Sequence, residues 1–209
     1  RYARVTGVQT CALPIYGMAR RGSRGRKYYE GVLANAPYGK CPFCGYGHAS
    51  TLDHFLPKSL YPYLSVVLNN LVPACQDCNK VKPTRMVDMT TQSSHPYFED
   101  GRIEIDRWLF ASVDWASPTT ADFCFKAPPL WPRDLIARMS NYFNDYKLAD
   151  RYSIEAASEL VVVNENMSRI GDDNEIEKHL SSVAKVESVV RLNSWKSALY
   201  EALFRSCRQ

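Results

Sequence analysis

Four cysteines in the sequence stand in two C-x-x-C pairs. Cys41 and Cys44 form the first pair, Cys75 and Cys78 form the second, and 30 residues separate the two pairs. Four thiolates from two such turns make a closed tetrahedral ligand set for structural zinc. The competing interpretation, a redox C-x-x-C, would account for one pair but not for two. The spacing therefore predicts a zinc site that holds this part of the chain together.

Polar side chains that suit phosphodiester hydrolysis lie close to these cysteines. Asp53 and His54 are adjacent to each other between the two pairs. Hydrolysis needs a base to deprotonate water and a cation to neutralise the charge that develops on the phosphate. His54 has a pKa range suited to the base, and the Asp53 carboxylate is a hard oxygen ligand for magnesium or manganese. Neighbouring strand residues point to opposite sides, so we expect a bend or bulge that lets both serve one site.

The stretch from Cys41 to Lys82, about a fifth of the chain, resembles the HNH nuclease family. The matching elements, in the family's order, are the first cysteine pair, Asp53-His54, Asn70, the second cysteine pair and Asn79. The resemblance implies that His54 is the general base and that Asn70 fixes the His54 loop through side-chain hydrogen bonds. It also implies that Asp53 and Asn79 bind a catalytic Mg²⁺ or Mn²⁺. Asn79 stands where the family often has His, and its hard amide oxygen favours magnesium.

The resemblance implies a metal-dependent endonuclease that cuts nucleic acid, expected to be DNA, and leaves 5′-phosphate and 3′-hydroxyl ends. The alternative is a non-catalytic zinc module that binds nucleic acid or a partner protein. That alternative does not predict an Asp-His pair and two asparagines at these positions together. The segment 52–59, followed by Tyr61-Pro62, also resembles HNH proteins found beside ATPases in bacterial antiphage defence loci. It thereby implies an ATPase partner.

Four further residues near the site have both a functional and an ordinary interpretation. Lys58 and Lys82 could contact substrate phosphates, although exposed lysines are usually only solvated. His48 is expected to be a surface residue, with a role as a ligand or substrate contact as the alternative. His95 is expected to be structural and not catalytic.

The elements that must position these residues indicate an α+β fold. A small ββα-metal module with its zinc staple is expected first, preceded by a short helix over residues 28–36. The alternation of Ile103 and Ile105 with acidic residues, and of Phe123 and Phe125 around a cysteine, predicts two short strands between residues 101 and 126. A mainly helical half follows, with apolar residues recurring every three or four positions. They are Leu148, Tyr152, Ala156 and Leu160, then Ile176, Leu180, Val183, Val186 and Val190, and finally Trp195, Leu199 and Leu203 in a helix capped by Asn193.

The predicted domains are a nuclease module at 18–100 with a basic N-terminal arm and a helical accessory region at 101–209. Residues 1–17 are expected to be a non-native leader, because residues 5–15 resemble the translation of a sequencing adapter. The net charge is +4, and the first 40 residues carry eight Lys or Arg against one Glu. This excess suits phosphate neutralisation, or it is a solvated terminus. No apolar run approaches the roughly 18 to 20 residues that span a bilayer, which favours a cytoplasmic protein.

Overall fold

A computed structural model describes residues 22–207, which contain seven α-helices and two antiparallel sheets of two strands each. The α+β class predicted from the sequence is confirmed. The chain divides into two compact units between Tyr97 and Phe98, whereas the sequence places the boundary between residues 100 and 101. The predicted leader at 1–17 lies outside the described residues. Among the described helices, none is both long and apolar enough to cross a membrane.

The first unit is built from a short helix, a two-stranded sheet and a second short helix. These elements are α1 (Arg26–Leu33), β1 (Thr51–His54), β2 (Leu71–Ala74) and α2 (Gln76–Val81), with 3₁₀ turns at Pro37–Gly39, Pro62–Leu64 and Leu68–Asn70. The strands pair antiparallel in four consecutive pairs, from Thr51 opposite Ala74 to His54 opposite Leu71. All four residues of β2 are buried. Helix α1 begins and ends earlier than the expected 28–36.

The second unit places a β-hairpin against helices. Its elements are α3 (Arg102–Ile105), β3 (Leu109–Asp114), β4 (Thr120–Phe125), α4 (Arg133–Asp145), α5 (Leu148–Ile170), α6 (Asp173–Val190) and α7 (Trp195–Ser206). Strands β3 and β4 pair antiparallel over six residues each. Helix α5 packs on β4, while α7 packs on β3 and on α6.

One of the two predicted strands is wrong. Ile103 and Ile105 lie in the short helix α3, and the first strand begins at Leu109 instead. The Asp100 carboxylate accepts a hydrogen bond of 2.9 Å from the Arg102 backbone N–H, which starts a helical turn. Ile105 is exposed, so the alternation did not reflect a buried face. The second predicted strand is present as β4, with Phe123 buried.

The long helices follow the predicted apolar periodicity in part. The α5 residues predicted as a stripe are all buried, and Val163 continues that stripe. In α6 the buried residues are Ile176, Leu180 and Ala184. Val186 and Val190 are exposed, so the predicted end of the α6 stripe is wrong. The small Ala184, four residues after Leu180, continues the buried face.

Asn193 does not cap α7 as the sequence predicted. The N-cap is Ser194, whose hydroxyl accepts a hydrogen bond of 3.0 Å from the Ser197 N–H. The buried Asn193 side chain instead joins the start of β3 to α3. Its Oδ1 accepts from the backbone N–H groups of Trp108 and Leu109, and its Nδ2 donates to the carbonyls of Ile103 and Asp106.

We predict that Asn193→Ala lowers the free energy of unfolding by about 2–4 kcal/mol, because the Trp108 and Leu109 N–H groups and the Asp106 carbonyl lose this partner, whereas the Ile103 carbonyl keeps the Trp108 indole N–H. Urea denaturation followed by circular dichroism measures the change. Asn174→Ala is the matched control, since Asn174 is exposed on α6. Equal stabilities of the two variants would contradict the structural role of Asn193.

Candidate metal centre and catalytic site

The two cysteine pairs come together in the first unit. The four sulfurs of Cys41, Cys44, Cys75 and Cys78 all lie within 4.8 Å of one another, and all four residues are buried. The Cys44 and Cys75 sulfurs are 3.9 Å apart. Such a set can hold a metal ion, and four thiolates at this spacing are consistent with zinc.

Backbone groups shape this cluster, and a glycine makes room for it. The Cys41 N–H donates to the Gly47 carbonyl at 2.8 Å, which closes the first turn. A Cβ added at Gly47 would lie 2.9 Å from the Cβ of Cys75, so only glycine lets the two turns approach this closely. The Gly47 N–H donates to the Cys44 sulfur, and the Cys78 N–H donates to the Cys75 sulfur, both at 3.4 Å. No sequence signal pointed to Gly47 beyond its position near the first pair.

The four thiols shift one another's pKa values in opposite directions. Hydrogen bonding with Cys44 is the main reason that the pKa of Cys41 is raised, and hydrogen bonding with Cys41 is the main reason that the pKa of Cys78 is raised. Hydrogen bonding with Cys41 also lowers the pKa of Cys44 and of Cys75. Four buried sulfurs without a metal therefore share protons, whereas a bound cation lets all four ionise.

We predict that the purified chain holds one zinc ion and that Cys78→Ser loses it. Structural zinc contributes on the order of 10 kcal/mol to the folding of small modules, so the first unit should unfold in this variant and in the chelator-treated protein. Elemental analysis and thermal denaturation measure both effects. Cys207→Ser is the control, because the Cys207 thiol is exposed in the second unit. Full zinc occupancy in Cys78→Ser would contradict the four-sulfur assignment.

Helix α2 lies across the face of β1 that carries Thr51 and Asp53, which are two residues apart and so point to the same side of the strand. The Asn79 amide donates to the Thr51 hydroxyl at 3.2 Å. One turn later, the Lys82 ammonium donates to the Asp53 carboxylate at 2.7 Å. The structure therefore places Asp53 and Asn79, the two residues implied as ligands of the catalytic metal, on one side of the sheet.

The Asp53 carboxylate is buried, and Lys82 is its cationic partner. Burial raises the pKa of Asp53, and the Lys82 charge opposes that rise. The Lys82 ammonium also donates to the backbone carbonyls of His54 and Phe55. Its side chain is only 11% exposed. The predicted contact between Lys82 and substrate phosphate is therefore not formed in this arrangement, because the ammonium faces inward.

The His54 imidazole is oriented by a backbone carbonyl. Its Nε2 lies 3.1 Å from the Ser65 carbonyl oxygen, which can only accept a hydrogen bond. Nε2 therefore carries the proton of the neutral ring, and Nδ1 keeps its lone pair. Burial lowers the pKa of His54 below its ordinary value of 6.5, and this favours the neutral ring. The Ser65 hydroxyl in turn donates to the Pro62 carbonyl at 2.6 Å. No sequence signal pointed to Ser65, since its contribution is a backbone atom.

Asn70 clamps the loop that contains Ser65. Its Oδ1 accepts from the Leu56 N–H at 2.6 Å, and its Nδ2 donates to the carbonyls of Leu56 and Leu64, both at 3.1 Å. Asn70 thus joins the chain just after His54 to the residue just before Ser65. These are side-chain hydrogen bonds to the His54 loop of the kind that the resemblance implies.

The bend expected near Asp53 and His54 lies just after these two residues. Pairing between β1 and β2 is continuous from Thr51 to His54, so β1 contains no bulge. The chain bends at Phe55 and Leu56. Asp53 faces α2, while His54, at the end of the strand, turns to the loop that carries Ser65.

The remaining candidates lie around this site. Lys58 is near enough to His54 for its charge to lower the pKa of His54. His48 is exposed, as expected. His95 is buried, its Nδ1 accepts from the Tyr97 N–H at 3.1 Å, and its ring meets that of Phe55 edge-on with centroids 4.4 Å apart. These contacts are those of a packed structural residue.

Comparison with known proteins finds similarity to two of them. Protein ea31 of Escherichia phage lambda is 30% identical over 202 residues, which cover 87% of this chain and 66% of the phage protein. Septu protein PtuB of Bacillus thuringiensis is 35% identical over 65 residues, which cover 29% of this chain and 25% of that protein. The chain thus spans just under two thirds of the phage protein and a quarter of the Bacillus protein. No family model matches the chain, and no solved structure matches it.

Proposed function

We propose that this chain is an endonuclease that hydrolyses phosphodiester bonds of nucleic acid, with His54 as the general base and one divalent metal ion. The hydrogen bond from His54 to the Ser65 carbonyl is the observation that carries the proposal. It leaves the Nδ1 lone pair of a neutral imidazole available to accept a proton from water. A histidine serving only as a turn residue does not require this orientation.

The chemistry of Asp53 and Asn79 supports a divalent metal beside His54. A carboxylate and an amide oxygen on one side of the sheet are hard donors of the kind that Mg²⁺ and Mn²⁺ prefer. A positive charge is already stabilised there, since the Lys82 ammonium lies 2.7 Å from Asp53. A bound metal ion would supply neutralisation of the charge that develops on the phosphate and the leaving oxygen.

Each of the other site residues has a positioning role in the proposed reaction. Asn70 holds the loop that orients His54, and Ser65 fixes the ring through its carbonyl. The four cysteines, with Zn²⁺ as the proposed ion, set the start of α2 and therefore the place of Asn79. In this proposal zinc is structural, because four sulfur ligands leave no open position for substrate.

DNA is the proposed substrate. Arg24 is exposed in the arm that leads into α1, and Lys27 is exposed in the first turn of that helix; both can neutralise backbone phosphates whatever the base sequence. Lys58 stands beside His54 and is the second candidate for a phosphate contact. Both features suit a protein that first binds the nucleic-acid backbone and then cuts it.

We predict that the zinc-loaded chain cuts plasmid or single-stranded DNA with Mg²⁺ or Mn²⁺ and that His54→Ala cuts at least about 100-fold more slowly. General-base catalysis contributes about 10²–10⁴-fold, which sets this magnitude. Gel assays of cleavage rate measure it. His179→Ala is the matched control, because His179 is exposed on α6 in the second unit. Zinc content and circular dichroism should be unchanged in both variants.

Two outcomes would contradict the nuclease proposal. If His54→Ala and the unsubstituted chain cut equally, a contaminating nuclease or another residue is responsible. If the unsubstituted chain binds zinc and DNA but cuts under no condition, the non-catalytic zinc module takes its place.

We also propose that the protein acts in bacterial antiphage defence with an ATPase partner, on the resemblance of residues 52–62. The similarity to Protein ea31 covers more residues than either compact unit contains, so it includes parts of both. The second unit is the proposed docking element for the partner. Co-expression of the chain with its native genomic neighbours, followed by affinity purification, should recover an ATPase with it. Recovery of the chain alone would contradict the partnership.

A further inference from the structure

The Lys82 ammonium lies among three oxygen atoms in the interior of the first unit. They are Asp53 Oδ2 at 2.7 Å, the Phe55 carbonyl at 3.3 Å and the His54 carbonyl. A lysine ammonium has three donors, and each of these oxygens can accept one of them. Carboxylate and carbonyl oxygens are also the donors that a hard divalent cation takes. The same place therefore suits a lysine ammonium or a metal ion.

Helix α2 determines that Lys82 reaches this place. Lys82 directly follows the last residue of α2, three positions after Asn79, so both side chains lie on the side of the helix that faces β1. Asn79 contacts Thr51 while Lys82 contacts Asp53, in register with the two-residue spacing of the strand. The side chains of Lys82 and Asp53 are 11% and 9% exposed. The pair is thus part of the packing of α2 on the sheet and is shielded from water.

A buried carboxylate needs a cation beside it, because an unpaired charge in the interior is costly. Like charges a few ångströms apart repel strongly where water is excluded. The ammonium therefore excludes a divalent ion that takes the same oxygens, namely Asp53 Oδ2 and the two backbone carbonyls. Binding of the metal requires Lys82 to leave.

We propose that Lys82 is a tethered cation that holds Asp53 in the metal-free protein and competes with the divalent metal for it. The inference rests on the proposed function in one respect, namely that Asp53 is a ligand of the catalytic metal. Lys82 is then a positioning residue that acts through Asp53. It keeps the carboxylate and the start of the His54 loop in place until the metal arrives. The apparent metal affinity is lowered by the fraction of molecules in which Lys82 occupies the position.

Metal binding also changes what Lys82 can contact. Once displaced from Asp53, the ammonium is released next to the site where the substrate phosphate is expected. The phosphate contact predicted from the sequence then becomes available only in the metal-bound protein. Metal binding and substrate binding are coupled in this way through a single side chain.

The test is a titration of the zinc-loaded 209-residue chain with Mn²⁺ alone, in which electron paramagnetic resonance measures the free ion. We expect Lys82→Met to bind Mn²⁺ about tenfold or more tightly than the unsubstituted chain, because the competing charge is gone. Lys80→Met is the matched control, since Lys80 is exposed on the same helix. Its Mn²⁺ affinity should equal that of the unsubstituted chain. A merely structural role of Lys82 would not strengthen metal binding.

A second variant and a second measurement guard against a folding defect. Lys82→Gln removes the charge but keeps an amide donor for Asp53, and it should also bind Mn²⁺ more tightly. Without Mn²⁺ both variants should unfold at a lower temperature than the unsubstituted chain. Saturating Mn²⁺ should raise the unfolding temperature of each variant by more than it raises that of the unsubstituted chain. Zinc content verifies that the first unit is intact.

Unchanged or weaker Mn²⁺ binding in a zinc-loaded Lys82 variant would overturn the competition. Absence of Mn²⁺ binding in every variant would also overturn it. The nuclease proposal is judged separately by cleavage, since tighter Mn²⁺ binding in Lys82→Met supports the competition even if no variant cuts DNA. Addition of Asp53→Asn to Lys82→Met should abolish the gain in Mn²⁺ affinity. If the double variant still binds Mn²⁺ more tightly than the unsubstituted chain, the metal binds at another site.

Discussion

The approach of four sulfur atoms within 4.8 Å is the constraint on which the first unit depends. The sheet there has four residue pairs, and the helix that follows it has six residues. Elements of this size bury too little apolar surface to fold independently, and small modules of this kind are usually held by a metal. Four buried thiolates repel one another, and a bound cation would offset that repulsion.

The position of the cysteines determines where the polar residues lie. Cys75 ends the connection from β2 and caps α2, and Cys78 lies within that helix. Asn79 and Lys82 follow Cys78 at fixed helical offsets, so the sulfur cluster aims both side chains at β1. A shift of α2 by one residue would turn them away from Thr51 and Asp53. The cysteine cluster thus positions the helix that carries two of the candidate side chains.

The second unit is held together by different means. Apolar stripes on α5 and α6 and the aromatic residues of the β-hairpin form its core, and Asn193 links the start of that hairpin to α3. Packing and hydrogen bonds hold the described part of this unit together, and no cysteine cluster is found among its described residues. In the proposed function the first unit carries out hydrolysis, and the second unit binds the partner protein.

The sequence by itself determined the α+β class, the cysteine spacing, the candidate residues Asp53, His54, Asn70 and Asn79, and the buried stripe of α5. These features depend on local order along the chain, since helical periodicity and ligand spacing are visible within short windows. Only the tertiary structure decided the partner of each polar side chain. Lys82 meets Asp53 across 29 residues, and Asn193 meets Trp108 across 85. Neither pairing has a local signature, because a lysine or an asparagine has several acceptable partners and packing selects one of them.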